Sequence, residues 1–408
     1  MEGALFVAAL VNQLLFFSVL SIIGQQYSGV NDSLSYVLFC IVTGVLSLLY
    51  IIKSTLPLRC LSFSRGVLLF SFLPLVISII FFIEQPSSDL AETYFTYYLL
   101  WGLTATYIGI FVARMELIAL IAKWFEVIMI FFTISVILSI VLPFYKSVKF
   151  ISLSGATYQT ASYISAFAYT LNLFYILFGT EYKLFKFHYS NIYRIFAFCL
   201  LPIQVLGVFI TGGRGGFVLV FVATILMLLT NRRNQKFSLQ KRVGIIALLL
   251  ITSLLIIPRL NQKALFASGF QRIFSYVTPE GIDMSQTSNR DTFYSNAIEL
   301  IYEKPLFGYG LFKNFDNGFY PHNLFLEILL NGGVLYMILI VIIGGLFIRK
   351  FILVIKNDAL NFVMLPLFLY PIIMLMFSGT YLTTSLFWFG ISYVFCYKLK
   401  NRVDDVEQ

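Results

Sequence analysis

The 408 residues are 59% apolar, 18% aromatic and only 12% charged, with 44 Phe and 25 Tyr and a net charge of +9. A mean hydropathy of +0.89 excludes a soluble globular domain and a disordered chain alike, because several runs exceed about eighteen nearly uncharged residues. A transmembrane barrel is excluded too: its strands alternate apolar with polar residues, whereas Val243 to Pro258 is apolar on every face.

The fold expected is therefore all-α and polytopic, with about twelve spanning helices. In chain order they run Ala4 to Ile23, Leu34 to Ile52, Gly66 to Ile83, Tyr94 to Val112, Trp124 to Leu142 and Tyr158 to Gly179. Ile195 to Thr211, Gly216 to Thr230, Val243 to Ile257, Val334 to Ile348, Ala359 to Phe377 and Leu382 to Tyr397 complete the set. The first run is expected to be a span rather than a cleaved signal peptide, since Met1-Glu2-Gly3 carries no basic residue and no small-x-small site follows. Around the fifth, Glu116, Lys123 and Glu126 suggest an interfacial turn leading into the span. The organisation is nine spans over 1–258, a large external loop with short amphipathic helices over 259–333, and three spans with a cytoplasmic tail over 334–408.

Basic residues orient these spans. With the N-terminus in the cytoplasm, nineteen of the 28 Lys and Arg fall inside, including Arg65, Arg114, Arg232, Arg233, Lys350 and Lys398. Six of the other nine, Arg259, Lys263, Arg272, Arg290, Lys304 and Lys313, lie in the long loop, which is then external. Charges dispersed over alternate short loops are explained by insertion topology and give no footprint for nucleic acid. Cys40, Cys60, Cys199 and Cys396 fall in spans or on the cytoplasmic side, so no disulfide framework braces the outer loop. Zinc spacings, phosphate loops of the GxxxxGK[ST] type and internal repeats are not found.

Chemistry is concentrated at the polar interruption, Arg259 to Pro321, and at one turn before it. Arg214 lies in Thr211-Gly212-Gly213-Arg214-Gly215-Gly216, where small residues let a backbone approach a ligand and the following helix presents its positive end to an anion. A fixed, fork-shaped cation there suits a phosphate or pyrophosphate; a tight hairpin with a snorkelling Arg is the alternative. Arg290 opens a segment with apolar residues at 293, 297, 300 and 301, the spacing of an amphipathic helix. A cation in its first turn opposes the helix dipole and points to a nearby anion, whereas an Arg in a loop is commonly a solvated charge. Arg272 is a weaker candidate of the same kind. His322 follows Pro321, and Asn323 can cap a short helix from Leu324 to Leu330 that ends at Asn331-Gly332-Gly333. The helix end and the arginines disfavour imidazolium, leaving a neutral nitrogen free to take a proton, although a lone His is commonly structural. His188, beside Lys186, reads as a solvated cytoplasmic residue.

Taken in order, Arg214 in its Gly-rich turn, Arg290 before a helix, Pro305-Leu306-Phe307-Gly308-Tyr309-Gly310, His322-Asn323-Leu324-Phe325-Leu326-Glu327 and Gly332-Gly333 entering a span resemble the O-antigen ligase and polymerase superfamily, the Wzy-type polymerases in particular. The distinctive part runs from about Arg290 to Gly333; the rest agrees only in span number and orientation. The resemblance implies a membrane glycosyltransferase of the C type in the bacterial plasma membrane, acting on undecaprenyl-pyrophosphate-linked oligosaccharides among membrane lipids, with no cofactor and no metal. It further implies a chain-length regulator and a flippase as partners. Carried over, Arg214 and Arg290 would hold the pyrophosphate, with Arg272, Asn323 and Glu327 in the substrate site, and His322 would orient or deprotonate the acceptor hydroxyl. The loop around Arg214 is shorter than the family's paired arginine-rich loops, so Arg272 or Lys304 is an alternative anchor. Asp283, Asp291, Asp316 and Glu327 are alternative bases. A ligase acting on lipid A core or protein, and a polysaccharide transporter or flippase, stand as other readings; a transporter would carry internal symmetry and mid-membrane ionisable residues, neither of which is evident.

Overall fold

The computed structural model describes residues 2–28, 33–55, 64–85, 88–145, 153–178, 191–230, 277–278, 281–282, 290–317 and 320–399. Apart from a two-residue antiparallel pair, Val277–Thr278 with Gly281–Ile282, these residues build helices and their connections. The helices are α1 Glu2–Leu10, α2 Asn12–Ile23, α3 Ser33–Thr55 and α4 Arg65–Glu84. Then come α5 Asp89–Arg114, α6 Ile118–Phe144, α7 Tyr158–Phe178, α8 Asn191–Thr211 and α9 Arg214–Thr230. α10 Arg290–Glu303, α11 Leu324–Asn357, α12 Met364–Leu375 and α13 Ser385–Cys396 complete the series.

The protein is an all-α, multi-pass membrane protein. Six helices, α3 to α7 and α11, are long and apolar enough to cross a bilayer, and α1 with α2 makes a seventh crossing if the two are one broken span. α8, α9, α12 and α13 are shorter apolar helices at four of the expected positions. The expected span Val243 to Ile257 lies outside the described residues.

Three local features depart from the expected helices. The first span is interrupted at Val11 and divides into α1 and α2. In α5 the winding widens to a π-helix over Tyr98–Leu103. The turn expected around Glu116, Lys123 and Glu126 exists only at residues 115–117, where Glu116 has φ +54°. Lys123 and Glu126 continue the α6 helix, and Glu126, 1% exposed, is tolerated there because the Tyr193 hydroxyl donates to its carboxylate.

Two compact units divide the chain, and both are discontinuous in sequence. The second comprises Gln13–Val37 and Ala122–Gln286. At its centre is α7, buried along almost its whole length. Uncharged polar side chains bond its helices together: Gln204 Nε2 donates to Thr133 Oγ1 at 2.7 Å, Asn172 Nδ2 donates to Gln204 Oε1 at 3.1 Å, and Ser165 Oγ donates to the Gln204 carbonyl at 2.6 Å. Inside a bilayer such bonds add to the van der Waals packing that holds helices together.

The first unit comprises Met1–Asn12, Leu38–Ile121 and Thr287–Gln408. Its two ends differ in chemistry. At one, the Lys350 ammonium donates to the Phe395 carbonyl, and Lys350 and Arg114 both lie close to Cys396. The other gathers Glu84, Ser88, Asp316 and the connection between α10 and α11. Within this unit Lys350 and Arg114 therefore lie at the end away from the connection between α10 and α11.

Candidate functional site

A break in α11 organises the site. Asn323 caps the helix, its side-chain oxygen accepting from the Phe325 and Leu326 N–H groups at 3.0 and 3.3 Å. The first segment stops at Gly333, whose φ of 63° and ψ of −162° are non-helical, and the long apolar segment begins immediately after it. Such a break strands carbonyls on one side and N–H groups on the other, and the 305–310 loop satisfies both. Tyr309 and Gly310 donate backbone N–H groups to the carbonyls of Leu330 and Asn331, at 2.7 and 2.9 Å. Pro305 accepts from Val334 at 2.8 Å, and Leu306 from Leu335 at 3.4 Å.

This exchange explains the order of residues in Pro305-Leu306-Phe307-Gly308-Tyr309-Gly310. A Cβ on Gly308, at φ +63°, would lie 2.5 Å from the Leu330 carbonyl oxygen, and one on Gly333 would lie 2.4 Å from the Leu306 carbonyl. Only glycine allows backbones this close at these angles. α10 then packs on the same break: Ala297 and Leu330 are fully buried, with Leu300, Ile301, Tyr309 and Leu326 against them.

Two aromatic anchors fix the rest of the connection to α4 and α5. Phe312 meets the rings of Phe81, Phe95 and Tyr98 at 5.6 to 5.9 Å, and Phe315 stacks on Tyr94 at 4.0 Å. Both side chains are fully buried, and each contributes about 2 kcal/mol of transfer free energy. Asp316, one of the alternative bases, accepts from the Ser88 N–H at 3.0 Å, so its carboxylate already serves the connection before α5.

Arg290 and His322 come together on this scaffold. Arg290 is the first residue of α10, as the sequence suggests, and its Nη2 donates to the Phe377 carbonyl at 2.9 Å with the guanidinium 5.5 Å from the centre of the Phe377 ring. That carbonyl supplies part of the negative partner that a cation in a first helical turn requires. His322 has φ +51°, which costs an L residue about 1–2 kcal/mol. Its ring is packed edge-on against Tyr320 at 4.4 Å and Phe293 at 5.6 Å. Burial and, second, the Arg290 charge push its pKa down to about 4. The imidazole is thus neutral at physiological pH, and its buried Nδ1 has no hydrogen-bond partner among the described residues.

Glu327, another alternative base, is 1% exposed and accepts a hydrogen bond from the Thr380 hydroxyl. One turn further on, Asn331 Nδ2 donates to the Tyr381 hydroxyl at 2.9 Å. Both contacts reach Phe377–Thr384, the connection between α12 and α13, which also supplies the carbonyl holding Arg290. Charge-based reading passes over this connection because it carries no ionisable side chain apart from Tyr381. The available signal was its run of hydroxyls, Ser378, Thr380, Tyr381, Thr383 and Thr384, between two apolar helices.

Arg214 belongs to the second unit. It opens α9 itself, two residues before the expected Gly216 start, and is half-buried. Its neighbouring glycines are accounted for by packing on α7: a Cβ on Gly213 or Gly216 would lie 2.5 or 2.2 Å from Ser162 Oγ, which donates to the Gly213 carbonyl at 3.1 Å. The expectation that these glycines open a ligand cradle gives way here to helix contact, while Arg214 keeps its place at a helix N-terminus. Arg272 and Asp283 lie outside the described residues. No cluster of metal-ligating side chains occurs among the described residues.

Residues 195–341 match the family model described as Wzy_C, O-Antigen ligase. That stretch contains Arg214, Arg290, His322, Asn323, Glu327 and the Gly333 break, and its match supports a relation to the O-antigen ligase/polymerase superfamily. It indicates a glycosyltransferase-like function of the O-antigen ligase/polymerase type, with a lipid-linked polysaccharide substrate in a membrane. Phe377, Thr380 and Tyr381 lie beyond the matched residues. No curated protein matches the chain.

Proposed function

We propose that the protein polymerises undecaprenyl-pyrophosphate-linked oligosaccharide repeat units into a surface polysaccharide on the external face of the bacterial plasma membrane, as a C-type glycosyltransferase with both termini cytoplasmic. The observation that carries this reading is the pairing of Arg290 with a neutral His322 at a capped helix start, inside the matched domain. The acceptor hydroxyl of one lipid-linked unit attacks the anomeric carbon of another, the bond to the pyrophosphate oxygen breaks with inversion, and the hydroxyl proton passes to His322. A glycosyl pyrophosphate already has a good leaving group, so the protein must supply charge stabilisation and a positioned base. Arg290 stabilises the charge that develops on the pyrophosphate. Arg214 keeps the phosphate-binding role that its place in the sequence pattern gives it, and Asn323 orients the His322 backbone by capping the helix that follows.

Incubating purified protein with a lipid-linked repeat unit tests this reading. A ladder of lipid-linked oligomers is the expected product, and its absence when His322 and Arg290 are intact overturns it. A ligase is the second reading, favoured by the description of the matched family model. It gives a single transfer to lipid A core or to protein, and no ladder, when each acceptor is offered separately.

A further inference from the structure

Three side-chain bonds converge on one uncharged connection, which also bonds Glu327 through the Tyr381 backbone. Phe377–Thr384 accepts the Arg290 guanidinium at the Phe377 carbonyl, at 2.9 Å, donates from the Thr380 hydroxyl to the buried Glu327 carboxylate, and accepts Asn331 Nδ2 at the Tyr381 hydroxyl, at 2.9 Å. Glu327 and Asn331 stand on the helix that His322 precedes, one turn apart, so the connection is bound to that helix at two points and to Arg290 at a third. The Thr380 hydroxyl donates to Glu327 and accepts from the Leu382 N–H at 3.3 Å. A side chain buried to 1% exposure and bonded in this way is engaged within the protein, and its position calls for an explanation.

We propose that Thr380 and Glu327 are positioning residues: their hydrogen bond ties the Phe377–Thr384 connection to the His322 helix and so holds Arg290, through the Phe377 carbonyl, against His322. The catalytic significance of that pairing rests on the function proposed above; the mechanical linkage does not. Among the described residues, the charged or titratable neighbours of His322 are Arg290 from α10 and Tyr320 from the preceding turn, and those of Glu327 are Tyr94, Tyr336 and Tyr381. Arg290 is therefore the cation whose placement bears on the His322 titration. If the tie loosens, that titration reports it.

The chain contains two histidines, His188 and His322, so His188→Gln in labelled protein leaves one imidazole to follow by NMR in lipid nanodiscs. In that background the midpoint for His322 is expected at about 4, and Arg290→Met should raise it toward the ordinary value of about 6.5 by the share that the guanidinium supplies. Thr380→Val, which keeps the shape and removes the hydroxyl, should reproduce part of that rise, since the Tyr381 backbone bond to Glu327 remains. Thr380→Ser should leave the midpoint at the wild-type position, and Glu327→Gln, which still accepts from Thr380, should move it less than Glu327→Ala. In the ladder assay Thr380→Val should lower kcat by roughly tenfold to 100-fold with little change in KM, the signature of misaligned groups. A Thr380→Val midpoint equal to wild type while Arg290→Met moves it overturns the proposal, and so does an Arg290→Met midpoint that does not move. Because the titration needs no turnover, a normal ladder from His322→Ala would overturn the base role of His322 while leaving the linkage standing.

Discussion

Gly333→Ala is the sharpest perturbation of the scaffold. The alanine must keep φ near 63° and ψ near −162°, a region that is essentially glycine-only and costs about 1–3 kcal/mol. Its Cβ would meet the Leu306 carbonyl carbon and oxygen at 2.4 Å, so the 305–310 loop has to withdraw. At least the two bonds from Val334 and Leu335 to Pro305 and Leu306 go with it, each worth about 1 kcal/mol. The total is about 4 kcal/mol of local stability, or roughly a thousandfold in an opening equilibrium at about 1.4 kcal/mol per decade. Hydrogen exchange of the segment containing Tyr309 and Gly310 should therefore accelerate by about three orders of magnitude, to the extent that it proceeds by this opening. Gly344→Ala is the control: nothing lies within 4 Å of its Cβ, so it should be neutral or stabilise the helix by about 0.5–1 kcal/mol. Exchange in Gly333→Ala indistinguishable from that in Gly344→Ala would refute the account of the break.

The acid limb of the transfer rate belongs to His322. With its pKa near 4, the rate should be flat from about pH 8 to 5 and fall only below that, not through the ordinary value of about 6.5; a limb centred at 6.5 would separate His322 from the base role. Because the folded value is depressed, the unfolded chain takes up more protons between about 6.5 and about 4, so the His322 contribution to stability is complete above that window and is lost as pH falls through it; His322→Phe should flatten this part of a melting-temperature profile against pH. Arg290→Lys and Arg214→Lys should lose nearly as much activity as the alanine variants, roughly 100-fold or more each, since a point charge does not replace a guanidinium fork; normal polymer from the alanine variants at matched expression would dismiss the anion role. With the native cysteines replaced, a Cys at Asn317 should react with an impermeant thiol reagent in intact cells and one at Gln235 should not, and the reverse pattern would invert the topology.

Much of this protein was legible from composition and spacing. Lipid allows few solutions to backbone hydrogen bonding, so uncharged runs of about twenty residues dictate helices, and their limits fall close to α3, α4 and α7. Local chemistry also reached the site: Pro321, Asn323 and Gly333 mark a cap and a stop that depend on neighbouring residues alone, and Arg290 opens its helix as its sequence context suggests. Tertiary structure decided what those residues touch. That Gly213 and Gly216 serve helix packing depends on Ser162, about fifty residues away, and that Pro305 to Gly310 closes the α11 break depends on backbone groups, which leave no side-chain signature. The role of Phe377–Thr384 was invisible for the same reason, since a main-chain carbonyl and one threonine hydroxyl acquire their meaning only when folding brings Arg290 and Glu327 to them.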